Sequence, residues 1–412
     1  MLVEFSVSNY RSIGDEQILS LVPSEHYLNN IIEKGKYKAL NAIGIYGNNA
    51  SGKSNVLNAI ELLEKLLYLS ARSNSTTKLP YQPFLLRKGY ELKPTKLEIT
   101  FIFDEKRYRF GVEYNQTEIF REWFYCKEAT LMEIMLFERQ GDIIDVSSEY
   151  KGSPELINAA IEATRDNSLF ISTCDMLNVA GAKLIFKWFD KVASINGIET
   201  EREEITTVHL WENQEYKNKI KEYLSLLNLG INNLDILITK NKLFKEFKTI
   251  TVHQSYNEEG NTTTQSRSWN LDEHESEGTK KAFHLSGPII RTLNEGGVLL
   301  IDEIEAKMHP MMTINSINLF LNKATNPYGA QIIFATHDTN ILTYCKLRRD
   351  QINFVEKNNW EATEIYALSD FRYFDEKSER SDVDKEKRYF EGRYGAIPAL
   401  GSFIEKLEKW YG

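Results

Sequence analysis

Cysteine is scarce in this chain. Cys126, Cys174 and Cys345 are the only three in 412 residues, far apart and with no CxxC pair or accompanying histidine cluster. That pattern argues against a disulfide framework or a zinc site and points to a reducing, cytoplasmic setting. Long apolar runs are missing too. The longest, such as residues 298–301 and 332–335, are strand-length, against the roughly 20 residues needed to cross a bilayer, so no membrane association is expected. The opening MLVEFSVSNYRS alternates apolar and polar residues like a strand and not like a signal peptide. Positive charge is not in excess. A net charge of −9 argues against a dedicated nucleic-acid coat, although a local basic groove stays open. What is present, 42% hydrophobic and 26% charged residues, is a globular composition, long enough for more than one lobe.

The hydrophobic pattern changes along the chain. Residues 2–8 and 18–22 read as strands, and 42–46 as a short buried strand that runs into a glycine. From Lys53 the apolar residues take helical spacing, so the order is strand, glycine-rich loop, helix. Residues 96–103, 107–114 and 131–139 alternate in bursts between polar turns, which predicts an antiparallel meander. Residues 153–230 read as helical, with amphipathic spacing at 182–192 and 216–227. Strands are expected at 234–239 and 247–253, then a polar loop at 257–268. The last third returns to α/β: a helix after Ser276, a strand at 298–301, a helix near 311–322 and a strand at 331–335. The expected organisation is 1–75 and 256–412 as the two halves of one lobe, split by a meander and helical insertion at 76–255.

Gly47, Asn48, Asn49, Ala50, Ser51, Gly52, Lys53 and Ser54 form a full G-x-x-x-x-G-K-S between the buried strand and the helix. Glycines let backbone N–H groups turn inward around phosphates, and the helix start adds a favourable dipole. Lys53 would neutralise the β- and γ-phosphates of ATP, and Ser54 would ligate Mg²⁺. Residues 298–301 then deliver Asp302 and Glu303 at a strand end, where α/β sheets place ligands. Asp302 suits the Mg²⁺ shell, and Glu303 suits the base that polarises the attacking water. A further buried strand ends at His337, placed for a γ-phosphate sensor. Ser276, Glu277 and Gly278 precede a helix and read either as a plain N-cap or as an anion-binding signature loop.

These motifs together resemble the ABC-ATPase superfamily on its SMC, RecF and OLD side. Arg11, in VSNYRSI, looks like that branch's opening arginine, reaching towards nucleotide, and His309 stands where SMC proteins carry Asp. Gln82 is the one candidate for a Q-loop, with a structural loop as the alternative. Three stretches, DEIEAKMHP at 302–310, LRRDQI at 347–352 and GRYGAIP at 392–398, resemble ATPases of bacterial phage-defence and restriction-linked operons, RloA-like proteins and the ATPase subunits of PARIS and Septu among them. The resemblance implies an α/β fold with an ABC-type P-loop ATPase head. It implies ATP and Mg²⁺ as cofactors and a homodimer or higher even oligomer, in which Ser276 and Gly278 close on the partner's nucleotide. It also implies a separate effector, a nuclease, that the ATPase restrains or activates. Only 75 residues follow His337, fewer than the nuclease domain of OLD proteins. A RecF- or SMC-like DNA-repair clamp is the alternative, and a transporter subunit is disfavoured by the insertion. Among lesser features, Trp123, Phe124 and Tyr125 are expected in the meander core, 375–388 as a solvated charged stretch, and 240–248 as a locally basic segment that could touch nucleic acid.

Overall fold

The computed structural model describes residues 1–24, 29–128, 131–231, 233–240, 245–370 and 384–396. It divides into two units, Met1–Phe189 with Ala335–Gly412, and Asp190–Phe334. The basic segment 240–248 and the charged stretch 375–388 lie partly outside the described residues, as do Ile397 and Pro398. Among the described residues no helix is long and apolar enough to cross a membrane.

The first unit opens with β1 (Leu2–Ser8), β2 (Gln17–Ser20), the hairpin β3 (Ile31–Lys34) and β4 (Tyr37–Leu40), then β5 (Ala42–Tyr46) and α1 (Lys53–Leu69). All five residues of β5 are buried. Helix α1 buries Val56, Leu57, Ile60, Leu63 and Leu67 at three- and four-residue spacing, the single stripe a core-facing helix needs.

The expected meander follows as β6 (Thr95–Phe103), β7 (Lys106–Tyr114), β8 (Ile119–Lys127), β9 (Ile134–Gln140) and β10 (Ile143–Val146). It joins the N-terminal pair in one antiparallel sheet ordered β10-β9-β8-β7-β6-β1-β2. Its inner face is a chain of rings, Phe101, Tyr108, Phe124 and Phe137, each within 6.0 Å of the next. Trp123 and Phe124 are buried as anticipated, whereas Tyr125 is half-buried. Gly111 is required beside Trp123, because a Cβ there would come within 2.2 Å of the indole.

Helices α2 (Pro154–Ala163), α3 (Phe170–Met176) and α4 (Lys183–Phe189) close this segment. Paired residues of β8 and β9 anchor it. Glu122 accepts the backbone N–H groups of Phe170 and Ile171, at 2.7 and 3.0 Å, at the start of α3. Arg139, opposite Glu122 in the register, donates to the carbonyls of Ser168, Arg165 and Gly141.

The second unit begins where the sequence pattern misleads. Inside the stretch read as helical lies a strand, β11 (Val192–Asn196), before α5 (Glu201–Trp211) and α6 (Gln214–Leu226). Only Ile195 of β11 is fully buried; its identity comes from parallel pairing with a strand a hundred residues later, not from its own period. Next come β12 (Asn233–Lys240), β13 (Lys245–Tyr256) and β14 (Thr262–Asn270), an antiparallel trio. The polar stretch expected as a loop is therefore a turn followed by a strand. β14 is nearly all exposed, so it carries no apolar signal, and its backbone pairing with β13 holds it.

Short α7 (Leu271–His274) and long α8 (Glu277–Glu295) lead to β15 (Val298–Asp302), α9 (Pro310–Leu321) and β16 (Gln331–Thr336), whose last two residues belong to the first unit. β15 is parallel to β11 on one side and β16 on the other. Pro288 inside α8 frees the carbonyl of His284, and Thr207 of α5 fills the gap by donating to it at 3.0 Å.

The first unit resumes with α10 (Asn340–Tyr344), β17 (Ile352–Lys357), β18 (Thr363–Ala367) and α11 (Lys385–Phe390). β17 is parallel to β5 and antiparallel to β18. The LRRDQI motif is structural here. Arg348 pairs with Asp350, and Gln351 donates to Asn41 and to the Ala42 carbonyl just before and at the start of β5. The described part of GRYGAIP packs on the same strands: Tyr394 stacks on Phe354, and Glu356 accepts from the Ala396 N–H.

Glu122 gives a pH test of the meander–helix junction. Burial pushes its carboxyl up to about 7, against Arg139 and the two backbone donors. A raised folded value stabilises fully below the ordinary 4.5 and loses that contribution as pH rises through about 7. Denaturation stability of the wild type minus that of Glu122→Gln should therefore fall between pH 4.5 and 7, by on the order of 3 kcal/mol. A flat difference would show that Glu122 is ionised throughout.

Candidate nucleotide site

In the first unit the phosphate-loop motif stands between β5 and α1 as the sequence predicts. Gly52 begins the helix at φ 111°, in the left-handed region. A Cβ there would lie 2.1 Å from Thr363 Oγ1 and 2.8 Å from Ser12 Oγ, so only glycine fits. Thr363 and Ser12 brace the loop from behind. Thr363 donates to the Ser51 carbonyl at 2.8 Å and lies 2.7 Å from the Ser12 hydroxyl, which also accepts from Asn55.

Lys53 is buried, and its ammonium donates to the carbonyls of Gly47 and Asn48 at 2.7 and 3.0 Å. It therefore lies across its own loop. Ser51 Oγ and Asn48 Oδ1 are buried with no hydrogen-bond partner, while Asn49 and Ala50 are exposed and Ser54 is half-buried. A seventeen-residue helix with no acid in its first turn starts at this point, so the field there favours an anion. Unpaired polar atoms, a positive helix end and a buried ammonium fit a bound polyphosphate.

Arg11 lies beside this loop's helix. Its guanidinium donates to Gln82 Oε1 at 2.6 Å and to Asn55 Oδ1 at 3.3 Å. Gln82 is thus engaged by Arg11. His337 follows β16 and is exposed; its neighbour Asp338 accepts from Asn340 through Oδ1 and keeps a buried Oδ2 without a partner.

In the second unit β15 delivers the two acids. Asp302 Oδ1 is buried with no hydrogen-bond partner, the donor a divalent cation would use. Glu303 sits at φ 49°, where the strand breaks sharply. The end of β11 lies against it: Gly197 donates to the Asp302 carbonyl at 2.7 Å, and a Cβ on Gly197 would come within 2.3 Å of the Glu303 carbonyl. Neither Gly197 nor β11 carries a motif that sequence reading could have caught.

Ser276 is the N-cap of α8, accepting from the Thr279 N–H at 3.2 Å. The helix it starts holds the loop after the acids. Glu277 pairs with Lys307 at 3.2 Å, and Gly278 leaves room for the Lys307 carbonyl, 2.9 Å from where a Cβ would stand. One turn further on, Lys281 is 1% exposed and donates to the carbonyls of Glu303, Ile304 and Ala306 at 3.3, 3.0 and 2.7 Å. Burial pushes its ammonium down to about 8, against the pull of Glu305 and Glu303. His309 caps α9 by accepting from the Met311 N–H. The second unit thus ties the start of α8 to the loop that follows Asp302, through Lys281 on Glu303, Ile304 and Ala306 and Lys307 on Glu277, two lysines that sequence reading did not mark.

A family model described as "AAA domain, putative AbiEii toxin, Type IV TA system" matches residues 43–343. The chain belongs to that family. It carries an AAA domain with a P-loop motif, in a mixed α/β fold with an antiparallel sheet. Among curated proteins it is similar to uncharacterized proteins of Staphylococcus aureus. One, from strain bovine RF122 / ET3-1, is 34% identical over 68 residues, 16% of this chain and 26% of the relative; another, from strain USA300, is 32% identical over the same length. The chain thus spans about a quarter of the length of these relatives. Among solved structures it is similar to the recombination mediator protein RecF with ATPrS (14% identical, 89% of this chain and 98% of that one, TM-score 0.31). It is also similar to cbiO1 from Clostridium perfringens, part of an ABC transporter complex (12%, 86% and 84%, TM-score 0.29).

Lys281→Met tests how the acid loop is held. The buried Ile304 carbonyl and the half-buried Glu303 and Ala306 carbonyls lose their donor, so stability against denaturant should fall by about 1–3 kcal/mol. ATP turnover should drop at least about tenfold, with nucleotide affinity changed less than about threefold. Loss of affinity with unchanged turnover would contradict a positioning role.

Proposed function

We propose that this AAA-domain ATPase is a nucleotide-driven switch. The observation that carries it is Lys53, buried and bonded to the carbonyls of Gly47 and Asn48 amid unpaired Ser51 and Asn48 side-chain oxygens. The ammonium exchanges those carbonyls for the β- and γ-phosphates of ATP, and the inward amides of residues 47–54 cradle the rest. Mg²⁺, when bound, would neutralise phosphate charge. Ser54 and Asp302 are the residues that would hold it, and the unpartnered Asp302 Oδ1 suits the task. Glu303 accepts the proton of the attacking water, His337 orients it, and Arg11 reaches the nucleotide from beside α1.

Ser276, Glu277 and Gly278 of a second copy complete each site, which makes the closed state a two-fold dimer. The γ-phosphate favours that state alone, so hydrolysis reopens it. The organisation we favour keeps 1–75 and 256–412 as the ATPase halves and 76–255 as the partner-facing insertion. The exposed apolar side chains Ile134 of β9, Ile143 of β10 and Met132 just before β9 support such a face. In this reading the switch works in the cytoplasm, in the anti-phage setting of RloA-like and PARIS or Septu ATPases, and restrains a separate nuclease.

Lys53→Ala should lose ATP binding, whereas Glu303→Gln should retain ATP, turn over at least about a hundredfold more slowly and sediment as a dimer with ATP present. Near-normal turnover in Glu303→Gln would remove it as the base. A monomer that retains ATP would remove the dimer.

A further inference from the structure

We infer that the second unit contains a zinc-type divalent-metal site formed by Glu204 of α5, Asp272 of α7 and His284 of α8. One ligand atom from each lies within 4.8 Å of the other two. Glu204 and His284 are 9% and 4% exposed, and Asp272 is open to solvent. His284 Nε2 is buried without a hydrogen-bond partner and lies 3.9 Å from Glu204 Oε2, too far for a hydrogen bond. An unpaired buried nitrogen facing two carboxylates is costly unless something sits between them.

The residues behind the ligands prepare them. Thr200 Oγ1 lies 3.1 Å from His284 Nδ1, a partner that can hold the proton on Nδ1 and turn the Nε2 lone pair towards the carboxylates. Thr249 donates to Glu204 Oε1 at 3.1 Å, leaving Oε2 for the cluster. The close approach of α5 to α8 holds the frame: a Cβ on Gly287 would stand 2.5 Å from Thr207 Oγ1.

One imidazole nitrogen and two carboxylate oxygens suit Zn²⁺ better than the all-oxygen shells of Mg²⁺ or Ca²⁺. The exposed side at Asp272 leaves an entry path from solvent, which would supply a water as the fourth ligand. The three ligands come from segments 68 and 12 residues apart in sequence, so no ligand-spacing motif announces them. Bound metal would fasten α5 and α7 to α8, whether or not the nucleotide reading above is correct.

The test uses the full chain, stripped with chelator and free of nucleotide, titrated calorimetrically with ZnCl₂. One equivalent should bind in the micromolar range or tighter, with a rise in melting temperature of at least about 3 °C at saturation. His284→Gln and Glu204→Gln should abolish that equivalent. Asp272→Asn, at an exposed position that leaves packing intact, should weaken it at least about tenfold. Absence of the equivalent in the wild type, or binding that Asp272→Asn and His284→Gln leave unchanged, would overturn the site.

Discussion

A buried ammonium bonded to backbone carbonyls is the interaction on which each unit's chemistry depends. Lys53 closes the loop after β5 by donating to Gly47 and Asn48, and Lys281 closes the loop after β15 by donating to Glu303, Ile304 and Ala306. Both strands are buried almost end to end, so each chain reversal leaves buried or half-buried carbonyls in need of a donor. A cation inside each turn satisfies them without another strand. The two lysines differ in their surroundings. Lys53 belongs to a loop with unpaired polar atoms and a helix start, so a stronger anion can draw it away. Lys281 has three carbonyl acceptors and feels the charges of Glu305 and Glu303, so it stays and keeps the acids in place.

Around these closures the fold supplies braces of a plainer kind. Thr363 and Ser12 back the phosphate loop, Gly197 backs Asp302, and Arg348 with Gln351 fastens the segment entering β5. In the meander, Glu122 and Arg139 do the same for the start of α3. Each brace joins residues far apart in the chain, and each replaces hydrogen bonds that a buried loop would otherwise lack.

The phosphate loop, β5, α1, β15 and most meander strands were legible because burial and period coincide there: a fully apolar strand, then glycines, then a helical stripe. What failed was structure held by partners. β11 has one fully buried residue and exists through pairing with β15; β14 is polar except for Trp269 and exists through pairing with β13. Lys281 looked like one more charge in a basic dipeptide, and only the carbonyls it meets distinguish it from the half-buried Lys280. Ser276 shows the reverse case. Its N-cap geometry was foreseeable from local sequence, whereas a role towards a partner's nucleotide needs chemistry beyond one chain.

Hydrogen exchange of the full chain, compared between the nucleotide-free state and saturating ATP with Mg²⁺ in a Glu303→Gln background, tests the central claim most directly. The account predicts slowed exchange at 47–56 and also at 276–281 and 302–306, the segments that the proposed closed state would bring to nucleotide. Protection confined to 47–56, with the other two segments unchanged, would contradict it.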